Sequence, residues 1–156
     1  MEEKIISDVV KSVINSMQNK KVTLEIARKL IHKVEEKAKE IGVKAVVAVA
    51  NDGGNIVAVE CMDDSYIASY DIAVNKAFTC AALKMPTTTL KELAQPGKDL
   101  YGIQFTNNGR IVIFGGGVPL KNGDKTIGGL GVSGGSEEQD TLLAEYGERV
   151  FLEELL

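Results

Sequence analysis

Glycine is concentrated in the last third of this chain, and this concentration limits what the segment can fold into. Of the 16 glycines, 11 lie between Gly102 and Gly135. A glycine in a strand has no side chain to fill a core, so it usually marks a bulge, a bend, or the close approach of a ligand or another backbone. The segment therefore predicts either a surface open to something flat or bulky, or tight turns and close packing of a helix on a strand.

The apolar pattern predicts an α+β fold in which helices flank an antiparallel sheet. Two tight turns, at 51–55 and 122–124, favour hairpins over βαβ crossovers. Apolar residues at helical spacing predict two N-terminal helices, at 5–18 and 24–41, and three later ones. Of the later helices, the third is expected to be capped by Ser65, the fourth to start near Thr88 and the fifth to start at Ser136. The strands are expected at 43–50, 56–62, 110–114, 118–120 and 126–132.

Individual residues mark the predicted helix ends. Thr23 is the expected N-cap of the second helix, and Gly42 follows where a glycine commonly ends a helix. Ser136 and Gln139 have the spacing of a capping box. Pro86 is expected to end the third helix, because proline cannot continue the hydrogen-bond ladder.

The length, charge and cysteine content exclude several classes of protein. At 156 residues the chain is expected to form a single domain. A net charge of -4 argues against binding to nucleic acid or to an anionic membrane surface. No apolar run approaches the roughly 20 residues of a membrane span, and no secretory signal pattern begins the sequence. Two cysteines, Cys61 and Cys80, fit a reducing cytoplasm, which is the expected location.

His32 is the only histidine, which argues against a zinc site of the usual Cys/His density. Its neighbours three and four positions away on the helix are all charged: Arg28, Lys29, Glu35 and Glu36. His32 is therefore predicted to be exposed, although the surface of a partner could bring a ligand to it.

Three polar features could carry chemistry. Asp63 and Asp64 follow a predicted strand and are interpreted as helix caps, with cation binding as the alternative. Lys76 is interpreted as part of a solvated helix face, with contact to a ligand carboxylate as the alternative. Ser133 and Gly134 open a helix, which is a natural position for an anion.

Several short motifs follow one another along nearly all of residues 23–147. The most specific is the octet GGLGVSGG at 128–135, which is followed by Glu-Gln-Asp at 138–140. The others are VANDGG at 49–54 with Val-Ala at 57–58, Met-Asp at 62–63, Asn-Lys-Ala at 75–77 and GGVPL at 116–120. Together these motifs resemble the GlcG/HbpS/PduO-C-terminal family of small haem-binding proteins.

The resemblance implies a profilin-like single domain that assembles into homo-oligomers, often octamers. It also implies binding of haem or a related tetrapyrrole near subunit contacts, with a corrinoid ranked below haem. The residues carried over as candidate cofactor contacts are Met62, Asp63, Lys76, Gly116, Gly117, Gly131, Ser133 and Gly134, with His32 added as a contact and as the candidate metal ligand.

The chain departs from the family pattern at Cys61, because the family usually has an arginine before Met-Asp. An arginine is a good partner for a haem propionate, so that anchor is not expected at this position. The other candidates for the iron ligand are Cys61, Met62, Tyr66 and Cys80.

Residues 1–21 are predicted to form a separate unit, an amphipathic helix and a polar tether ahead of the GlcG-like domain at 22–156. The apolar stripe within 5–18 must dock on something. The helix resembles the encapsulation peptides of bacterial microcompartment cargo, which implies contact with shell or cargo enzymes. The alternatives are packing on its own domain or across an oligomer interface.

The expected function is that of a haem- or tetrapyrrole-binding accessory protein, associated with a diol- or glycolate-utilisation system or with a microcompartment lumen. One alternative is a small-molecule enzyme that uses Asp63, Lys76 and Ser133. Another is a structural cargo protein without a ligand. The enzyme ranks below the binding protein, because the sequence offers no recognisable pair of nucleophile and base.

Overall fold

The computed structural model describes residues 1–18 and 20–156. It confirms the predicted α+β fold, with one antiparallel sheet and helices on both of its faces. The helices are α1 (Glu2–Gln18), α2 (Leu24–Glu40), α3 (Ile67–Leu83), α4 (Thr87–Leu93) and α5 (Glu137–Val150), and the strands are β1 (Val46–Asn51), β2 (Ile56–Cys61), β3 (Gly117–Asn122) and β4 (Lys125–Ser133).

The sheet has the strand order β2-β1-β4-β3, and each neighbouring pair is antiparallel. β1 lies in the centre, which explains why its run of valines and alanines is buried on both faces. Side chains such as Val47, Val49 and Leu130 face the larger core, which α2 and α5 cover. Val46, Ala48 and Ala50 face the opposite way and meet Ala73 and Ala77 of α3. The sheet is therefore the middle of three layers.

The strand predicted at 110–114 is wrong, because this segment pairs with a helix and not with the sheet. Ile111 and Val112 are buried, as the apolar run suggests. The Val112 N–H donates to Thr79 Oγ1 of α3 at 3.1 Å. A side-chain hydroxyl thus takes the place of a strand neighbour, and the sheet has four strands where five were expected.

Several predicted helix ends are confirmed. The Thr23 hydroxyl accepts a hydrogen bond from the Ile26 N–H, and Gly42 has the positive φ, 72°, expected just beyond a helix end. The capping box is present in full, because Ser136 and Gln139 each accept the other's backbone N–H through their side chains.

The predicted start of α3 is wrong, whereas its predicted end ahead of Pro86 is confirmed. The N-cap of α3 is Tyr66 and not Ser65, and its side chain makes no capping hydrogen bond. α3 ends before the proline, at Leu83, because Lys84 takes a left-handed conformation with φ 57°. Pro86 instead serves as the N-cap of α4.

The glycines of β4 let the backbone of α3 lie directly on the sheet. A Cβ built on Gly131 would lie 2.0 Å from the Ala73 carbonyl oxygen, and one on Gly129 would lie 2.1 Å from the Ala77 carbonyl oxygen. No side chain fits in this space. Of the two interpretations of the glycine-rich segment, close helix packing is therefore correct for these positions, and an open surface is wrong.

α1 exposes its apolar stripe. The apolar side chains Ile5, Ile6, Val9, Val10, Val13 and Ile14 are 45–63% exposed. The helix predicted at 5–18 is present, and it begins earlier, at Glu2. Asn19, in the predicted tether, lies outside the described residues. Among the helices described, none is long and apolar enough to cross a membrane.

We expect Gly131→Ala to lower the free energy of unfolding by about 3 kcal/mol, because the new methyl group meets backbone that cannot move aside. Gly53→Ala is the matched control. A Cβ there meets the movable Asn55 side chain at 3.1 Å and Asn51 Oδ1 at an ordinary 3.4 Å, so the expected loss is within about 0.5 kcal/mol. Urea unfolding of the three proteins checks this, and equal losses for the two variants would contradict the packing argument.

Candidate functional site

Two adjoining clefts meet at Tyr66, Gly134 and Gly135, and together they are named here the Tyr66 groove. Each cleft has a volume of about 260 Å³. The apolar cleft is lined by Tyr66, Ala68, Ser69, Ile72, Phe114, Ser133, Gly134, Gly135, Glu137 and Asp140. The polar cleft is lined by Gly42, Val43, Lys44, Asp64, Tyr66, Gly134, Gly135 and Gln139.

Three elements build the groove. Tyr66 stands at the start of α3, and Ser133 ends β4. The turn through Gly134 and Gly135 then leads into α5. Because α3 lies so close to β4, the first turn of α3 and the first turn of α5 come together at one end of the sheet.

The Lys76–Asp140 ion pair lies next to the apolar cleft. Lys76 is fully buried, and its Nζ donates to the Val132 carbonyl at 2.7 Å and to Asp140 Oδ2 at 3.2 Å. Burial lowers the pKa of Lys76 and raises the pKa of Asp140, in each case against the attraction of the partner charge. The interpretation of Lys76 as part of a solvated face is wrong. No periodicity distinguishes a buried lysine whose partners lie on other elements.

The start of α5 is satisfied by the chain's own side chains. The Gly135 N–H donates to Asp140 Oδ1 at 2.8 Å, and the Ser136 N–H donates to Gln139 Oε1 at 2.9 Å. The Ser133 hydroxyl donates to Ser69 Oγ at 3.1 Å, with both residues buried. Asp140 thus holds the place that the sequence suggested for an external anion.

Four of the candidate residues come together at this end of the sheet. Ser133 and Gly134 line the apolar cleft, and Lys76 binds Asp140, which also lines this cleft. Gly116 adjoins the same ion pair, because a Cβ there would lie 2.5 Å from Lys76 Nζ.

Gly117 and Gly131 are packing residues below the groove. A Cβ on Gly117 would lie 2.9 Å from Cys80 Sγ, and one on Gly131 would meet the α3 backbone. Both residues face buried groups of the chain itself.

Met62, Asp63 and His32 lie elsewhere. Met62 and Asp63 line a separate cleft of about 300 Å³ with Glu35, Lys39 and Cys61. His32 is exposed on α2 with its Nε2 3.4 Å from Glu36 Oε1, and it lines neither part of the Tyr66 groove. The predicted exposure of His32 is confirmed. Asp63 does not share a surface with Lys76 and Ser133, so the three residues proposed for an enzyme do not form one active site.

The sequence predicted no role for three residues of the site. Phe114 lines the apolar cleft, and its ring centroid lies 5.0 Å from Lys76 Nζ. Glu137 accepts hydrogen bonds from the Gly115 N–H at 2.9 Å and from Lys91 Nζ at 2.7 Å, and the bond from Lys91 is the main reason that the pKa of Glu137 is lowered. The sequence did place Asp140 as an acidic residue in the first turn of a capped helix, and this pattern could have marked it as a candidate.

The two cysteines lie in different surroundings. Cys80 is buried, and burial raises the pKa of its thiol far above the ordinary value. Cys61 is exposed at the end of β2. Over residues 1–18 and 20–156, no group of three or more His, Cys, Asp or Glu side chains could hold a metal ion.

The four-stranded antiparallel sheet with helices on both faces places the chain among small α+β domains. The chain belongs to the HbpS-like family, whose model, described as haem degrading protein HbpS-like, matches residues 22–148. This finding confirms the resemblance that the motifs gave.

Several relatives are similar over most of their length. A Citrobacter freundii protein, named as an uncharacterized 15.0 kDa protein in the dhaT-dhaS intergenic region, is 48% identical over 83% of this chain and 92% of its own. The structure of Klebsiella pneumoniae ORFY has a TM-score of 0.82 and 43% identity, over 85% of this chain and 91% of ORFY. A PduOC–haem complex has a TM-score of 0.80 and 34% identity, over 83% of this chain and 94% of PduOC.

We expect Lys76→Met to destabilise the fold by about 3–5 kcal/mol, because it leaves the Asp140 charge buried without its partner. Lys91→Met is the matched control, since the Lys91–Glu137 pair is partly exposed and such pairs are worth less than about 1 kcal/mol. Thermal and urea unfolding measure both losses. A Lys76→Met variant as stable as Lys91→Met would contradict the role of the buried pair.

Proposed function

We propose that this chain is a haem-binding accessory protein and that the haem lies in the Tyr66 groove. The observation that carries the proposal is the apolar cleft beside Tyr66, bordered by Ile72 and Phe114. Membership of the HbpS-like family and the haem complex of the PduOC relative support the same ligand. A corrinoid ranks second.

The residues present fit such a group in part within one copy. Ala68, Ile72 and Phe114 supply an apolar wall, which a planar macrocycle requires. The apolar cleft, at about 260 Å³, is smaller than the roughly 300–1,000 Å³ of typical sites for drug-sized ligands. The groove therefore needs a second wall.

A second copy of the chain is the proposed source of that wall. Ile67 is 98% exposed at the start of α3, and Tyr70 one turn later is 48% exposed. A contiguous apolar patch is typical of a surface that another protein covers, and Tyr66, Ile67 and Tyr70 are all exposed at the start of α3. We therefore propose a homo-oligomer, with an octamer as the expected form, in which the covered face adjoins the groove.

The arrangement favours binding over catalysis. Haem, when bound, supplies a redox-active iron, while this chain's residues hold the macrocycle and exclude water. The ionisable groups beside the cleft are already committed, since Asp140 pairs with Lys76 and Glu137 pairs with Lys91. No free pair of acid and base lines the part of the groove that the structure describes, so an accessory or storage role is the function that it supports best.

We expect added hemin to give a saturable Soret change with the purified protein. Phe114→Asp should weaken the apparent affinity by at least about tenfold, because it places a charge in the apolar wall. Phe105→Asp is the matched control, since Phe105 is 83% exposed and lines neither cleft. The measurement is an absorption titration, read beside the particle mass from light scattering and a parallel titration with cobalamin. Absence of a saturable change with hemin would end the haem proposal.

We further propose that α1 docks on a microcompartment shell or on cargo enzymes, which would place the protein in the cytoplasm and in the microcompartment lumen. The exposed apolar stripe of α1 is the observation that favours this role. Over Glu2–Gln18 the helix carries three acidic and two basic side chains, so it lacks the basic face that anionic lipid attracts. An apolar groove of a protein is therefore the proposed partner.

A fusion of residues 1–21 to a fluorescent reporter is expected to co-purify with shells. Val10→Asp should abolish this, because it places a charge in the centre of the apolar stripe, whereas Lys11→Ala on the polar face should not. Deletion of residues 1–21 should leave the hemin titration unchanged. A reporter that never enters shells, or that enters equally with Val10→Asp, would contradict the docking role.

A further inference from the structure

We infer that the Tyr66 hydroxyl is the side-chain ligand that this chain offers to the haem iron, and that Lys44 receives the propionates. The inference rests on the proposed haem-binding function and assigns its residues. Tyr66 borders both clefts, so a ligand in either part of the groove meets this side chain.

The other polar side chains around the groove already have partners. Ser69 pairs with Ser133, Glu137 with Lys91, Asp140 with Lys76, and Gln139 with the backbone of Ser136. Within residues 1–18 and 20–156, the Tyr66 hydroxyl makes no hydrogen bond, and 73% of this residue is exposed. Tyr66 is therefore the oxygen donor of the groove that can bind a metal without breaking an existing contact.

The remaining candidate iron ligands are badly placed for this groove. Cys80 is buried beneath β3, against the position of Gly117. Met62 and Cys61 line the separate cleft, and Met62 Sδ accepts the Ala45 N–H at 3.3 Å. His32 is on the exposed face of α2, beside Glu36. None of these side chains lines either part of the groove.

Tyr66 is the N-cap residue of α3, and its phenol can bind ferric iron as a tyrosinate. On binding, an Fe(III)–O bond forms, the O–H bond breaks and the proton leaves to solvent, with no change in the oxidation state of the iron. Tyrosinate is an established haem ligand, as in catalase.

The two clefts differ in polarity, and this difference orients the ligand. The apolar cleft holds Ile72 and Phe114, whereas the polar cleft holds Lys44, whose side chain is 61% exposed and lies 3.4 Å from Asp64. A macrocycle with its apolar edge toward Phe114 would present its carboxylates toward Lys44. This lysine would exchange its exposed contact with Asp64 for a propionate, and it would then serve in place of the arginine that is missing at Cys61.

The test compares ferric-haem spectra of the wild-type protein with those of Tyr66→Phe, in absorption and in electron paramagnetic resonance. The wild-type complex should show a phenolate-to-iron charge-transfer band that Tyr66→Phe loses. Tyr101→Phe is the matched control and should keep the band, since Tyr101 is 66% exposed and lines neither cleft. Lys44→Gln should weaken binding and leave the band in place. Because the Tyr66 hydroxyl makes no contact in the fold, melting temperatures should not change.

The outcomes separate the two proposals. If the wild-type protein gives no saturable hemin spectrum, the proposed function fails and this inference fails with it. If the wild-type protein binds haem and Tyr66→Phe keeps its ferric spectrum, the ligand assignment is overturned while haem binding stands. A change of iron spectrum in His32→Ala, with none in Tyr66→Phe, would transfer the assignment to His32. Equal hemin affinity in Lys44→Gln and wild type would overturn the role of Lys44.

Discussion

The buried ion pair between Lys76 and Asp140 holds the candidate site together. It links α3, on one face of the sheet, to α5, on the other, and the Val132 carbonyl of β4 accepts a second hydrogen bond from Lys76. Burial disfavours both charges, so the pair persists only where additional hydrogen bonds satisfy each partner. Asp140 meets this condition by also accepting the Gly135 N–H. The loop that borders the groove is thereby fixed to the core.

This ion pair depends on the glycines of β4. Gly129 and Gly131 allow the α3 backbone to lie against the strand, and at that separation Lys76 reaches the end of β4. Larger residues would lift the helix and separate the charges. The glycine-rich segment and the buried lysine are therefore parts of one packing arrangement, which also places the start of α3 beside the start of α5.

The sequence was sufficient for the architecture and for part of the site. Hairpin turns, apolar periodicity and the capping pair at Ser136 each follow from local chemistry, and they agree with the structure. The segment at 110–114 and the burial of Lys76 were predicted wrongly, because their partners are Thr79 and Asp140, far away along the chain. Apolar spacing cannot show whether an N–H meets a strand or a hydroxyl, or whether a cation meets water or a carboxylate.

Because side chains of α5 accept hydrogen bonds from the backbone at its start, the amides that could bind an external anion there are already in use. Glu137 and Asp140 both line the apolar cleft. A nucleotide or a free phosphate would find the Gly135 and Ser136 amides already occupied by Asp140 and Gln139. A ligand that presents an apolar face to this wall needs no such amides. The groove therefore lacks the anion-binding geometry that a free helix N-terminus offers.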